Sequence, residues 1–201
     1  MPELQHRFLS VVVPLIPGVA AVEFETAPSW LLRPGIAEFG RRAPMIAAVY
    51  HELTGLRLPE VAPLRERRRV DAVIRYLDGS SRVLEFDERQ HFTSSRLATL
   101  SYYDDIAVAF DAELWRRRSA ELSGREPRGG FARPCPPLFP GPGGRHRQRA
   151  FRDLLADVLP AVHDWRPTAR IQDLQALEIL RGSAVEENAR QLWLDITTET
   201  G

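Results

Sequence analysis

The run from Arg69 to Tyr103, RVDAVIRYLDGSSRVLEFDERQHFTSSRLATLSYY, sets Asp71 in one apolar stretch and Glu85 and Asp87 in the next. It reads as a strand, a turn around Asp78 and Gly79, a second strand, and then a helix. A carboxylate inside an apolar strand is costly to bury without a partner. Three of them on one hairpin therefore predict a bound cation. Mg²⁺ takes carboxylate, water and phosphate oxygens and gives up its water shell reluctantly. A cation held in this way polarises a phosphodiester and lowers the pKa of a coordinated water, which is the chemistry of phosphodiester hydrolysis.

Alternation along the strand puts Glu85 and Asp87 on one face and Leu84 and Phe86 on the other. Asp71 joins the first face if the turn holds an odd number of residues, such as Asp78 to Ser80, with Asp71 opposite Asp87. A two-residue Asp78-Gly79 turn would set Asp71 opposite Phe86, on the same face as Glu88 and Gln90. Two triads thus compete: Asp71, Glu85, Asp87 and Asp71, Glu88, Gln90. The competing structural roles are cross-strand pairing of Glu85 and Asp87 with Arg75 and Arg82, and helix capping or packing on Tyr102 for His91.

These residues resemble the PD-(D/E)XK, or restriction-endonuclease-like, nuclease superfamily, whose motif is an Asp on one strand and acid-x-Lys on the next. Glu85, Asp87 and His91 in EFDERQH are similar to the branch of very short patch repair endonucleases, where an E-x-D element followed by a His stands in that place. The resemblance covers roughly residues 65 to 105 and extends to the later RAFRDLL helix. It implies one metal, Mg²⁺ or Mn²⁺, held by Asp71 with Glu85 or Asp87, and Gln90 or His91 in place of the lysine. Members of the superfamily often add an acid from a preceding helix, a place that Glu52 matches. The chain departs from the motif in one respect: it contains no lysine, so all 27 basic side chains are arginine. A Gln or neutral His orients water or a leaving oxygen without a lysine's fixed charge.

The elements that must position this hairpin follow from the rest of the chain. Residues 8 to 25, with Pro14 and Pro17, predict short extended pieces rather than a helix. RRAPMIAAVYHELT predicts an amphipathic helix with Ile46, Val49, Tyr50 and Leu53 on one face and Gly55 as its stop. After the hairpin come a helix with Leu97, Leu100 and Tyr103 inward, a short buried strand at 106–110, and a helix with Leu114, Trp115 and Leu122 inward and Arg116 to Arg118 outward. Residues 124–144 are rich in Pro and Gly and read as a flexible flap. RHRQRAFRDLLADVLPAV predicts a strong helix, followed by a short strand and two more helices.

The length fits a single domain over 1–201, an α/β fold with a small mixed β-sheet flanked by helices. The resemblance makes that core restriction-endonuclease-like. No apolar run approaches a membrane span, the start lacks the pattern of a signal peptide, and the expected location is cytoplasmic. The single Cys135 has no partner for a disulfide or zinc site. Net charge is zero, yet local distribution governs a binding surface. Arg67, Arg68 and Arg69 precede Asp71; Arg89 and Arg96 flank His91; Arg145, Arg147, Arg149 and Arg152 open the later helix. All are candidate phosphate contacts. The expected activity is a metal-dependent DNA endonuclease or nickase. The alternatives are a catalytically silent nuclease-fold subunit that binds nucleic acid or a protein partner, including a second copy as a homodimer, and a hydrolase of a small phosphoester.

Overall fold

The structure is a computed structural model and describes residues 3–64 and 69–198. Arg67 and Arg68 lie outside the described residues. The elements in chain order are α1 (Glu3–Val12), β1 (Val19–Thr26), α2 (Ser29–Leu32), α3 (Ile36–Phe39), α4 (Ala43–Thr54), β2 (Val70–Tyr76), β3 (Ser81–Asp87), α5 (Ser94–Leu100), α6 (Ala112–Leu122), α7 (Gly144–Val158), β4 (Arg166–Gln172), α8 (Asp173–Arg181) and α9 (Val185–Thr198).

The four strands form one sheet in the order β1-β2-β3-β4. β2 runs antiparallel to both β1 and β3, and β4 lies parallel to β3. A parallel neighbour needs a long crossover, and α5, α6 and α7 make it. The fold is thus α/β with a mixed sheet and flanking helices, as the sequence predicts.

Alternation sends Ala72, Ile74, Leu84, Phe86, Ala169 and Ile171 to one face, where α1, α8 and α9 cover them with residues such as Phe8, Ile179 and Trp193. Val73 and Val83 pack on the other face against Ile46 and Tyr50 of α4, Trp115 of α6, and Phe151, Leu154, Leu155 and Val158 of α7. The α7 residues recur at helical spacing, which gives that helix its continuous apolar stripe.

Several expectations need correction. Residues 3–12 form helix α1, since Pro14 and Pro17 follow it and shape only its exit. Residues 106–110 make a single bridge, Ala109 to Ala169, rather than a strand. Arg118 turns inward, because it pairs with Asp173 at 2.6 Å and lies over the Phe92 ring. The Pro/Gly segment is tied down: Leu138 and Phe139 are buried in the core, Tyr50 Oη donates to Leu138 O at 2.7 Å, and Cys135 and Phe139 exchange backbone bonds. Among the described residues, no helix is long and apolar enough to cross a membrane.

Candidate functional site

The hairpin turn decides between the two triads. Tyr76 N donates to Ser80 O at 2.9 Å and Gly79 N to Tyr76 O at 3.0 Å, so the loop is Leu77–Gly79. Gly79 has φ +83°, the left-handed conformation that a three-residue hairpin assigns to glycine. Asp78 Oδ1 accepts from Ser80 N and Oγ, and these bonds hold its carboxyl down at about 2. The odd count puts Asp71 on the face of Glu85 and Asp87. The register, Ala72 to Leu84 and Val73 to Val83, continues to set Asp71 opposite Glu85, two residues along β3 from the expected partner Asp87.

The β2–β3 ladder ends at Ala72 and Leu84, while β3 stays paired to β4 through Glu85, Phe86 and Asp87. The two strands therefore part at the acidic residues. Side chains fill the gap: Phe86 N donates to Asp71 Oδ2 at 2.7 Å, and Asp71 N donates to Glu85 Oε2 at 3.3 Å. Each carboxylate is thereby fixed by the backbone of the opposing strand.

Asp87 has a different environment. It is 1% exposed and accepts from Trp115 Nε1 at 2.7 Å and from Arg170 Nη1 at 2.9 Å on both oxygens. Arg170 is fully buried and also binds Asp157 at 2.7 Å; Asp157 in turn holds Arg96 at 2.8 Å and Tyr103 Oη at 2.7 Å. His91 Nδ1 lies 3.1 Å from Asp153 Oδ2 and 3.2 Å from Asp87 Oδ1. Burial works against charge on every member. On Asp87 the opposing pull of Arg170 and His91 prevails and holds the carboxyl below the usual range. On Asp153 the pull of His91 and Arg170 does the same. Burial would push the His91 imidazolium down, but Asp153 and Asp87 raise it above its ordinary value. The two carboxylates thus favour the protonated form of the ring more than a free imidazole would.

Asp87, His91 and Asp153 are close enough to one another to hold a metal ion. The chemistry of the surroundings argues against it, because Arg170 and Trp115 already occupy the Asp87 carboxylate. A divalent ion there would sit beside a buried guanidinium. Asp71 and Glu85 are the pair whose setting suits a hard cation: both line an open cleft of about 540 Å³.

That cleft brings together Asp71, Glu85, Glu88 and His91 with Arg69, Arg145, Arg149 and Arg152. Four of the predicted phosphate contacts thus face the predicted carboxylates. Nδ1 of His91 is engaged on the buried side, so Nε2 is the nitrogen left for the cleft. Arg149 Nη1 donates to Gln90 O at 3.1 Å, joining α7 to the turn after β3.

Other candidates stand elsewhere. Gln90 Nε2 donates to Glu88 Oε2 at 2.5 Å, and Gln90 is not among the cleft residues. Glu52 accepts from Tyr102 Oη at 2.6 Å on exposed α4 and is likewise outside the cleft. Arg96 is no phosphate contact, because α5 turns it into the core toward Asp157 and Tyr103. Arg89 faces a second groove beside Arg117 and Arg125, and Arg147 donates to Pro140 O. Sequence reasoning missed Asp153, Asp157 and Arg170. The signal for the acids was present: they recur at i, i+4 on the apolar face of α7, a position where a charge demands a partner.

No protein-family model, no curated protein and no solved structure matches the chain.

Proposed function

We propose that this protein is a metal-dependent phosphodiesterase acting on nucleic acid, a DNA endonuclease or nickase with a restriction-endonuclease-like core. The observation that carries this reading is the placement of Asp71 and Glu85 side by side where β2 and β3 part, at the wall of a cleft lined by four arginines. Asp71 and Glu85 would hold Mg²⁺ or Mn²⁺, which when bound supplies charge neutralisation at a phosphodiester oxygen and an activated water. Arg69, Arg145, Arg149 and Arg152 hold the phosphates; their planar guanidinium groups suit oxyanions. Asp153 and Asp87 orient the His91 ring and raise its pKa; in its protonated form Nε2–H would be placed to donate to a leaving oxygen. Asp87 acts through His91 and Arg170, which removes it from the metal set that the resemblance implies.

A second reading is favoured by the same Asp87. With that carboxylate occupied by Arg170 and no lysine in the chain, the cleft has the carboxylates of Asp71, Glu85 and Glu88 and no fixed ammonium, as a nuclease-fold subunit that binds without cutting would have. The deciding experiment is incubation of supercoiled plasmid and a labelled single strand with Mg²⁺ or Mn²⁺, beside EDTA and Asp71→Ala. Metal-dependent cutting that disappears in Asp71→Ala supports the enzyme. Retardation of DNA in a gel with no cutting under either metal supports the binding subunit.

A further inference from the structure

At the opposite end of the sheet, beside the hairpin turn, a separate cavity of about 160 Å³ is lined by Tyr76, Arg82, Arg166, Trp193 and Thr197. Tyr76 stands five residues along β2 from Asp71, about 17 Å at the usual strand rise. The cavity is therefore distinct from the acidic cleft, and nothing said of it rests on the function proposed above.

Arg82 is the unusual member. It is 4% exposed, yet its Nε and Nη1 have no hydrogen-bond partner, and among the described residues no carboxylate pairs with it. The other described arginines buried as deeply, Arg96 and Arg170, each hold an aspartate at 2.7–2.8 Å. Arg82 lies over the Trp193 ring at 5.9 Å. Arg166 lies over the Tyr76 ring at 3.9 Å and spends its ion pair on Asp78, at the exposed edge. Burial pushes the Arg82 guanidinium down, and so does the neighbouring Arg166, while the Tyr76 hydroxyl hydrogen-bonded to it offsets part of this without supplying a counter-charge. A buried cation without a counter-charge is costly, and an anion in the cavity would remove that cost.

We propose that this cavity is a binding site for a phosphate-type oxyanion, taken as free phosphate or as the head of a small phosphomonoester. Arg82 and Arg166 supply the charge, and the Tyr76 hydroxyl beside them supplies a further donor. Guanidinium groups match phosphate oxygens in geometry, and two of them together favour a multiply charged anion over a singly charged one. The volume is close to that of a cavity that holds one benzene, about 150 Å³, which admits a phosphate and excludes a nucleoside.

The test is a titration of inorganic phosphate, and separately of glycerol phosphate and acetate, at constant ionic strength, read by tryptophan fluorescence and by melting temperature. The wild-type protein should show a saturable fluorescence change that Trp193→Phe abolishes. Arg82→Met and Arg166→Gln should each weaken phosphate at least about tenfold, the effect of losing one charge-assisted contact. Without phosphate, Arg82→Met should melt no lower than wild type, and phosphate should reverse that order by stabilising only the wild type. Binding of phosphate and glycerol phosphate alike assigns the headgroup; binding of phosphate alone assigns the free ion. An equal phosphate response in wild type and both arginine variants, no saturable response, or acetate binding as tightly as phosphate overturns the proposal. If Arg82→Met fails to fold, Arg166→Gln at the exposed edge separates the same outcomes.

Discussion

His91 Nδ1 lies 3.1 Å from Asp153 Oδ2, joining the turn after β3 to the inner face of α7. This contact and the one to Asp87 raise the His91 pKa above 6.5 and hold the two carboxyls below 3.8. The histidine's contribution to stability is complete below 6.5 and is lost as pH rises through its raised folded value. The carboxylates' contribution is complete above 3.8 and is lost as pH falls through their depressed folded values. Stability should therefore peak between these limits. Asp153→Asn should lower the His91 midpoint, measured by NMR titration of its ring protons, and flatten the alkaline decline. An unchanged midpoint would show that Asp153 does not govern the ring.

Asp71→Asn keeps the side-chain shape and an oxygen for Phe86 N. Its stability should change by no more than about 1 kcal/mol, the usual worth of a hydrogen bond. Divalent-cation affinity, followed by calorimetry, should fall together with any cleavage. Loss of cutting with metal affinity intact would remove Asp71 from the metal set.

Arg170→Met would leave Asp87 and Asp157 buried without their guanidinium partner. A cost of about 3–5 kcal/mol is expected for breaking a buried ion pair from one side. Adding Asp87→Asn to Arg170→Met should recover part of that loss, because it removes one orphaned charge. Urea denaturation of the two single variants and the double variant measures the coupling. Strict additivity would contradict the network.

Arg145→Ala and Arg149→Ala should each weaken DNA binding to a similar extent across sequences and reduce the salt slope by about 1, the signature of a lost phosphate contact. Gel retardation at several salt concentrations gives the slope. Arg96→Ala should instead lower the melting temperature, since Arg96 serves the core and not the cleft. A variant of Arg96 that is fully stable but binds DNA poorly would reverse this assignment.

The strands and the helices α4 to α7 were legible because period carries them, whereas the shared face of Asp71, Glu85 and Asp87 was one of two alternatives that only the observed Leu77–Gly79 loop separates. The division of labour among the acids was not legible. Glu85 and Asp87 are two residues apart on one strand and look alike in sequence. They differ because Arg170 and Trp115, brought from distant elements, hydrogen-bond the Asp87 carboxylate. Arg96 misled for a related reason: a guanidinium at a helix start is usually solvated, and only the aspartates on α7 make its burial possible. Helix α1 was hidden because the prolines that end it stood inside the same apolar run.

The buried network also sets a proton count. Three carboxylates, Asp87, Asp153 and Asp157, face two guanidinium groups, Arg96 and Arg170, and the ring of His91. The sum is zero only while His91 is protonated. Because that ring reaches the cleft beside Asp71 and Glu85, a cation bound there would oppose the proton, and its binding is expected to release protons in a pH-dependent fraction. Calorimetry in buffers of different ionisation heat would read that release directly, which makes the interior of this protein a built-in reporter on the charge of its cleft.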